Sequence, residues 1–208
     1  AAAATTVVAS AGTLSPASVT PGSLTAGATS SLTLALTTTN AVPAGGAVRL
    51  TLPSGFTPNA TGAGTTAVAA SFGFGGGAVT GASAGAPLTI IRSAIKNPVV
   101  SGSTSAYSLQ TFQADGLTVI DQNTAVTASA ITPGSLTAAV TPASSSTGVT
   151  GTVAVAFTTA NPLPAGGAVR VTFGSGFDLS GVGATVAATG IDGTLTAVVT
   201  GQAVTAYR

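Results

Sequence analysis

The chain has no cysteine, methionine, tryptophan, histidine or glutamate among its 208 residues. Without cysteine there is no disulfide and no thiol chemistry. Without histidine or cysteine the common nucleophilic triads and the His/Cys metal sites are excluded. The carboxylates reduce to Asp115, Asp121, Asp178, Asp192 and the C-terminus. Two-carboxylate hydrolysis needs a converging acidic pair in a cleft. The acids nearest in sequence, Asp115 and Asp121, flank the apolar run GLTVI and are expected at its two ends as solvated turn residues. Calcium needs several oxygen ligands, and no DxDxDG-type loop occurs. The expectation is a chain that is not an enzyme, with no catalytic residue, no metal site and no cofactor.

Charge is nearly as scarce. Charged residues make up 4% of the chain, where about 25% is usual. The net charge of +1 gives no reason to expect a nucleic acid or an anionic membrane as partner. No run of about 20 apolar residues survives interruption by Thr, Ser, Gly or Pro, so no membrane-spanning helix is expected. A transmembrane barrel would call for aromatic girdles and regular strand spacing, and neither is present. A surface so poor in charge resists self-association weakly. Either glycans cover it or an assembly buries it, and both suit an extracellular protein. The start AAAATTVV, with no initiator methionine, fits the mature side of a cleaved secretion signal.

The composition that remains is 45% hydrophobic with 28 glycines and a mean hydropathy of +0.61. That is too apolar for a disordered chain. The apolar residues alternate. Leu32, Leu34 and Leu36 face one way and Thr33, Ala35 and Thr37 the other. Val48, Leu50 and Leu52 repeat the pattern after the turn NAVPAGG. Such period-two segments, broken by Pro and paired Gly, read as short strands. Further strands are expected near Ala67–Phe72, Leu88–Ser93, Tyr107–Phe112 and Leu117–Ile120, then near Ala184–Ala188, Leu195–Thr200 and Ala203–Tyr207. No window has helical spacing.

The chain also repeats. LTLALTTTNAVPAGGAVRLTLPSGF at residues 32–56 matches VAVAFTTANPLPAGGAVRVTFGSGF at residues 153–177, and ASVTPGS at 17–23 matches AAVTPAS at 138–144. Val153, Val155, Phe157, Val169, Val171 and Phe173 are therefore the expected inner-face residues of the second copy. Arg49 and Arg170 take matched outward positions, as solvated strand residues or as hydrogen-bonding groups between subunits. The second copy ends early. Arg208 pairs best with Arg92, which leaves that copy without counterparts of Tyr107–Phe112 and of the last strand. The segment TAVTASA at residues 124–130, which ends the first copy, matches TTVVASA at residues 5–11.

These features define an all-β chain of two tandem Ig-like β-sandwiches plus an extended N-terminal donor strand. The donor spans 1–12 and the first domain 13–126. A linker spans 127–137, and the second, incomplete domain with an open edge spans 138–208. The donor would present Thr5, Val7, Ala9 and Ala11 to a neighbouring subunit. Asn59 opens the sequon Asn59–Ala60–Thr61 and is a candidate for glycosylation. GFGGG at residues 73–77 has no following helix or Lys to make a phosphate cradle and reads as a turn.

The repeated PAGGAVR-x-T-x-x-SGF segments and the N-terminal extension resemble subunits of extracellular fibrils built by donor-strand complementation. The likeness is to the two-Ig-domain helical fibrils recovered from pond water. It implies a glycosylated structural filament of identical subunits with no cofactor. One donor strand restores only one of the two missing strands. Either the second domain closes with fewer strands, or the native chain continues beyond Arg208. A carbohydrate- or surface-binding adhesin module is the rival reading. Ice binding through Thr33 and Thr37 is disfavoured, because the matching positions are Ala154 and Thr158.

Overall fold

The computed structural model describes residues 10–58, 69–73 and 81–208. Those residues are strands, turns and irregular segments, with no helix. They form four sheets in two compact units, divided between Ser135 and Leu136.

Unit one contains β1 (Gly12–Thr13), β2 (Ala17–Pro21), β3 (Thr29–Thr37), β4 (Ala47–Thr51) and β5 (Thr57–Pro58). It continues with β6 (Ala69–Gly73), β7 (Pro87–Lys96), β8 (Tyr107–Phe112) and β9 (Val119–Val126). One sheet has the order β1-β9-β8-β4-β6 and the other β2-β3-β7-β5. Both share one core. Val19, Leu32, Leu34 and Leu36 from the second sheet join Val48, Leu50, Tyr107, Leu109 and Val126 from the first. The alternation that makes these segments strands also puts their large residues on one face. Leu32 and Leu34 are 0% exposed and Leu36 is 2% exposed. Ile131 and Thr132, inside the expected linker, are held by unit one. Ile131 is buried and bridges to Gly102, and Thr132 bridges to Thr25.

Unit two contains β10 (Thr137–Pro142), β11 (Val153–Thr158), β12 (Ala168–Thr172), β13 (Thr185–Val186), β14 (Leu195–Thr200) and β15 (Ala203–Tyr207). β10 pairs β11 alone, and the other sheet has the order β12-β15-β14-β13. The first ladder reproduces unit one. Ala17 faces Leu36 across β2 and β3, and their sequence matches Ala138 and Phe157 face each other across β10 and β11.

The last strand departs from the sequence expectation. β15 runs antiparallel to β12 with Ala168 opposite Tyr207 and Thr172 opposite Ala203. In unit one β8 lies against β4 in the same manner, with Ala47 opposite Phe112 and Thr51 opposite Ser108. β15 therefore fills the place of β8, and the pairing of Arg208 with Arg92 does not describe the fold. The reason lies in the connection. Only Gly201 and Gln202 separate β14 from β15, and Gly201 has a φ of +56°. Such a short turn forces the two strands to be hairpin neighbours. In unit one the segment between β7 and β8 is long enough to cross between sheets.

Candidate functional site

Thr5, Val7, Ala9 and Asn59 lie outside the described residues. Ala11 is half-buried and precedes β1. β1 is held by its own unit, since Gly12 and Thr13 pair in parallel with Asp121 and Gln122, and the Leu14 amide donates to the Gln122 carbonyl at 3.1 Å. The chain before Gly12 thus starts from a fixed point on unit one. The segment that the N-terminal stretch resembles is in place within unit one. Val126 is buried opposite Tyr107, and Ala128 packs against the core. Ala130 is exposed.

Unit two has the same alternation without the same burial. Val153, Val155, Phe157, Val169, Val171 and Phe173 are half-buried, while the residues between them are exposed. Its buried hydrophobics are Leu195 and Ala203. Val140, Val149, Val198 and Val199 are exposed. The ladders account for this. In unit one β3 lies between β2 and β7, and β4 lies between β6 and β8. In unit two β11 has only β10, and β12 has only β15. One backbone edge of each of these two strands is unpaired, and the apolar faces beside those edges are only half covered.

The end of β15 is fixed. The Arg208 guanidinium forms an ion pair with Asp192 and donates to the Leu163 carbonyl, and the Arg208 amide donates to the Gly167 carbonyl at 2.9 Å. The hydrogen bond from Arg208 holds the Asp192 carboxyl below the usual carboxylate range. Asp178 is lowered by hydrogen bonds from Ser180, and Asp115 by hydrogen bonds from Thr118 and Leu117. All three are exposed.

Asp115 sits in a turn, as its sequence position implied. Asp121 does not. It is 0% exposed, and its carboxylate accepts from the amides of Thr39 and Asn40 at 3.0 and 2.9 Å and from Asn40 Nδ2 at 2.7 Å. The two acids that looked alike in sequence therefore do different work, and they do not converge. Asp121 ties the turn after β3 to β9, and a Cβ on Gly12 would come within 2.1 Å of Asp121 Oδ1. That glycine was the available sign that something packs closely there. Asn97 plays a similar part, donating through Nδ2 to the carbonyls of Ser23 and Thr25 at 2.8 and 2.9 Å. Arg49 is not a free outward cation. Its guanidinium lies 4.1 Å from the centroid of the Phe112 ring, and Nη2 donates to the Gly116 carbonyl. Arg170 is exposed.

Among the described residues no three of His, Cys, Asp or Glu are grouped to hold a metal ion. No helix there is long and apolar enough to cross a membrane. Comparison with protein-family models, with curated proteins and with solved structures finds no match for this chain.

Proposed function

We propose that this chain is a structural, non-catalytic subunit of an extracellular filament. It polymerises head-to-tail by inserting its N-terminal strand into unit two of the next subunit, and each unit is an Ig-like sandwich. The observation that carries this reading is the difference in burial between the two copies of one repeat. Leu32, Leu34 and Leu36 are sealed in unit one, whereas Val153, Val155 and Phe157 are half open in unit two. An added strand gains main-chain hydrogen bonds along an open edge. Each contributes about 0.5–1.5 kcal/mol net, and burial of Val7 adds roughly 1.5–3 kcal/mol. A handful of ladder bonds outweighs any one side chain, so affinity depends mainly on strand length. The contact joins two different surfaces, so it propagates as an open filament unless its rotation closes a ring. The scarcity of charge fits a surface covered by neighbours and by glycans, with Asn59 a candidate attachment site.

The rival reading, a secreted carbohydrate- or surface-binding module, calls for aromatic rings that converge into a stacking platform. Phe177 and Tyr207 are exposed at 50% and 44%. Tyr207 ends β15, while Phe177 lines a hollow with Gly201 and Gln202 at its start. The two exposed rings thus lie at opposite ends of one strand. The ring beside Phe177 is the half-buried Phe173, 5.5 Å away and tilted by 54° rather than coplanar, which favours the filament.

Removing residues 1–11 leaves β1 intact and is expected to abolish filaments in negative-stain microscopy while unit one stays folded. Val7→Pro, which removes a ladder donor and constrains φ, is expected to act in the same direction. Normal filaments from the truncated chain would end the proposal, and only dispersed full-length monomers at high concentration would favour the binding module.

A further inference from the structure

We infer that the acceptor in unit two is the unpaired edge of β11, in the place that β7 occupies in unit one, and that its occupant is residues 5–11 of a second copy. This rests on the filament reading above and specifies its contact. The sequence match alone points elsewhere. Thr5–Ala11 resembles Thr124–Ala130, whose first three residues end β9 beside β8, so the equivalent slot would be the free side of β15. That slot is filled. β14 pairs with β15 along its whole length, from Thr196 opposite Tyr207 to Thr200 opposite Ala203. The two-residue turn at Gly201 and Gln202 keeps it there.

The edges of β10, β11, β12 and β13 remain. β10 matches β2, which is an edge in unit one as well, and β13 is only two residues long. That leaves β11 and β12, and they differ in character. Natural edge strands discourage pairing with charged residues, proline or bulges. β12 carries the exposed Arg170 at its centre. β11 reads VAVAFT, with no charge, no proline and no break in its register with β10. It is also the strand whose counterpart relies most on a second partner. β3 pairs with β7 from Thr29 opposite Lys96 to Thr37 opposite Pro87, the longest ladder in unit one. β11 has no partner on that side.

The occupant follows from the chain itself. Residues 1–11 carry no charged side chain, which suits a charge-free edge. They lead into β1, which is tied to β9 of its own unit, so they extend from a fixed origin. The small residues of the donor suit one end of the slot, since Leu88 and Ile90 of β7 are only half-buried, whereas Ile95 nearer its other end is buried.

Paired cysteines test this, in a chain that has none of its own. Val8 alternates with Val7 and Ala9, which the donor would turn inward. V8C is combined in three separate proteins with A156C on β11, R170C on β12 or T196C on β14, all exposed positions. Circular dichroism confirms that each variant keeps its strand content. After mild oxidation of assembled material, V8C with A156C is expected to give a ladder of covalent oligomers on non-reducing gels, several-fold above the other two pairs. Assembly with cross-linking mainly through R170C or T196C would overturn the β11 assignment while leaving the filament reading standing. Absence of assembly in all three proteins and in the unsubstituted chain would overturn both.

Discussion

At the scale of single residues, the clearest contrast is between Asp115 and Asp121. Both are aspartates near the ends of one apolar run. Asp115 is exposed and accepts only from residues two and three positions ahead. Asp121 is fully buried and accepts from a turn more than eighty positions earlier in the chain. A hydrogen bond to a charged acceptor contributes about 1.5–3 kcal/mol, although Thr39 and Asn40 are themselves exposed and reach water once the carboxylate is gone. Asp121→Ala is therefore expected to destabilise unit one by about 1.5–3 kcal/mol, read from the urea midpoint. Asp115→Ala is expected to have a much smaller effect, and equal losses for the two would contradict this account. Tyr107 shows the opposite economy. Its ring packs against Phe56 at 5.8 Å, its hydroxyl is buried with no hydrogen-bond partner among the described residues, and burial pushes its phenol up to about 12.

At the scale of elements, β7 carries an irregularity that its sequence does not announce. Ser30 faces Ile95 and Leu32 faces Arg92, so two residues of β7 oppose Ser31 alone. The extra residue makes a bulge, which bends the strand and increases its twist. Ala94 sits there with a φ of +58°, a region that disfavours any residue with a Cβ by roughly 1–2 kcal/mol. Ala94→Gly is expected to raise stability by about 0.5–1 kcal/mol, less than the full strain because glycine also loosens the unfolded chain. The measurement is the shift in the denaturation midpoint, and a drop would mean that Ala94 contributes packing that outweighs its strain. The β14–β15 hairpin uses the same backbone region at Gly201 without a Cβ to strain it. That difference suits a turn that must be tight.

At the scale of the whole molecule, one repeat yields two units of unequal completeness. Unit one encloses its large apolar residues between a five-stranded and a four-stranded sheet. Unit two spreads similar residues over a two-stranded and a four-stranded sheet with little enclosed. Local opening is easiest where few apolar contacts and many solvent-facing backbone bonds coexist. Amides of β11 and β12 are expected to exchange with deuterium at least tenfold faster than those of β3 and β4 in the isolated subunit. In assembled material the β11 amides are expected to slow markedly. Equal protection of the two units in the monomer would show that unit two is already complete and would remove the physical reason for it to seek a partner.

The sequence by itself determined the class of structure and most of the strand positions. Alternation over Leu32–Thr37 and Val48–Leu52 is a local property, because each residue's face follows from its parity along the strand. β8, β14 and β15 fall where their patterns placed them. The repeat located equivalent strands because matched patterns fold alike locally, and the β2–β3 and β10–β11 ladders agree in register. Pairing over longer distances was decided only by the tertiary structure. Whether β15 stands in for β7 or β8 depends on the two-residue connection to β14 and on which edge that leaves free, and side-chain pattern does not encode it. Burial of Asp121 likewise depends on the turn after β3 arriving beside β9. Parity sets which way a side chain points, but only the assembled sheets decide what it meets there.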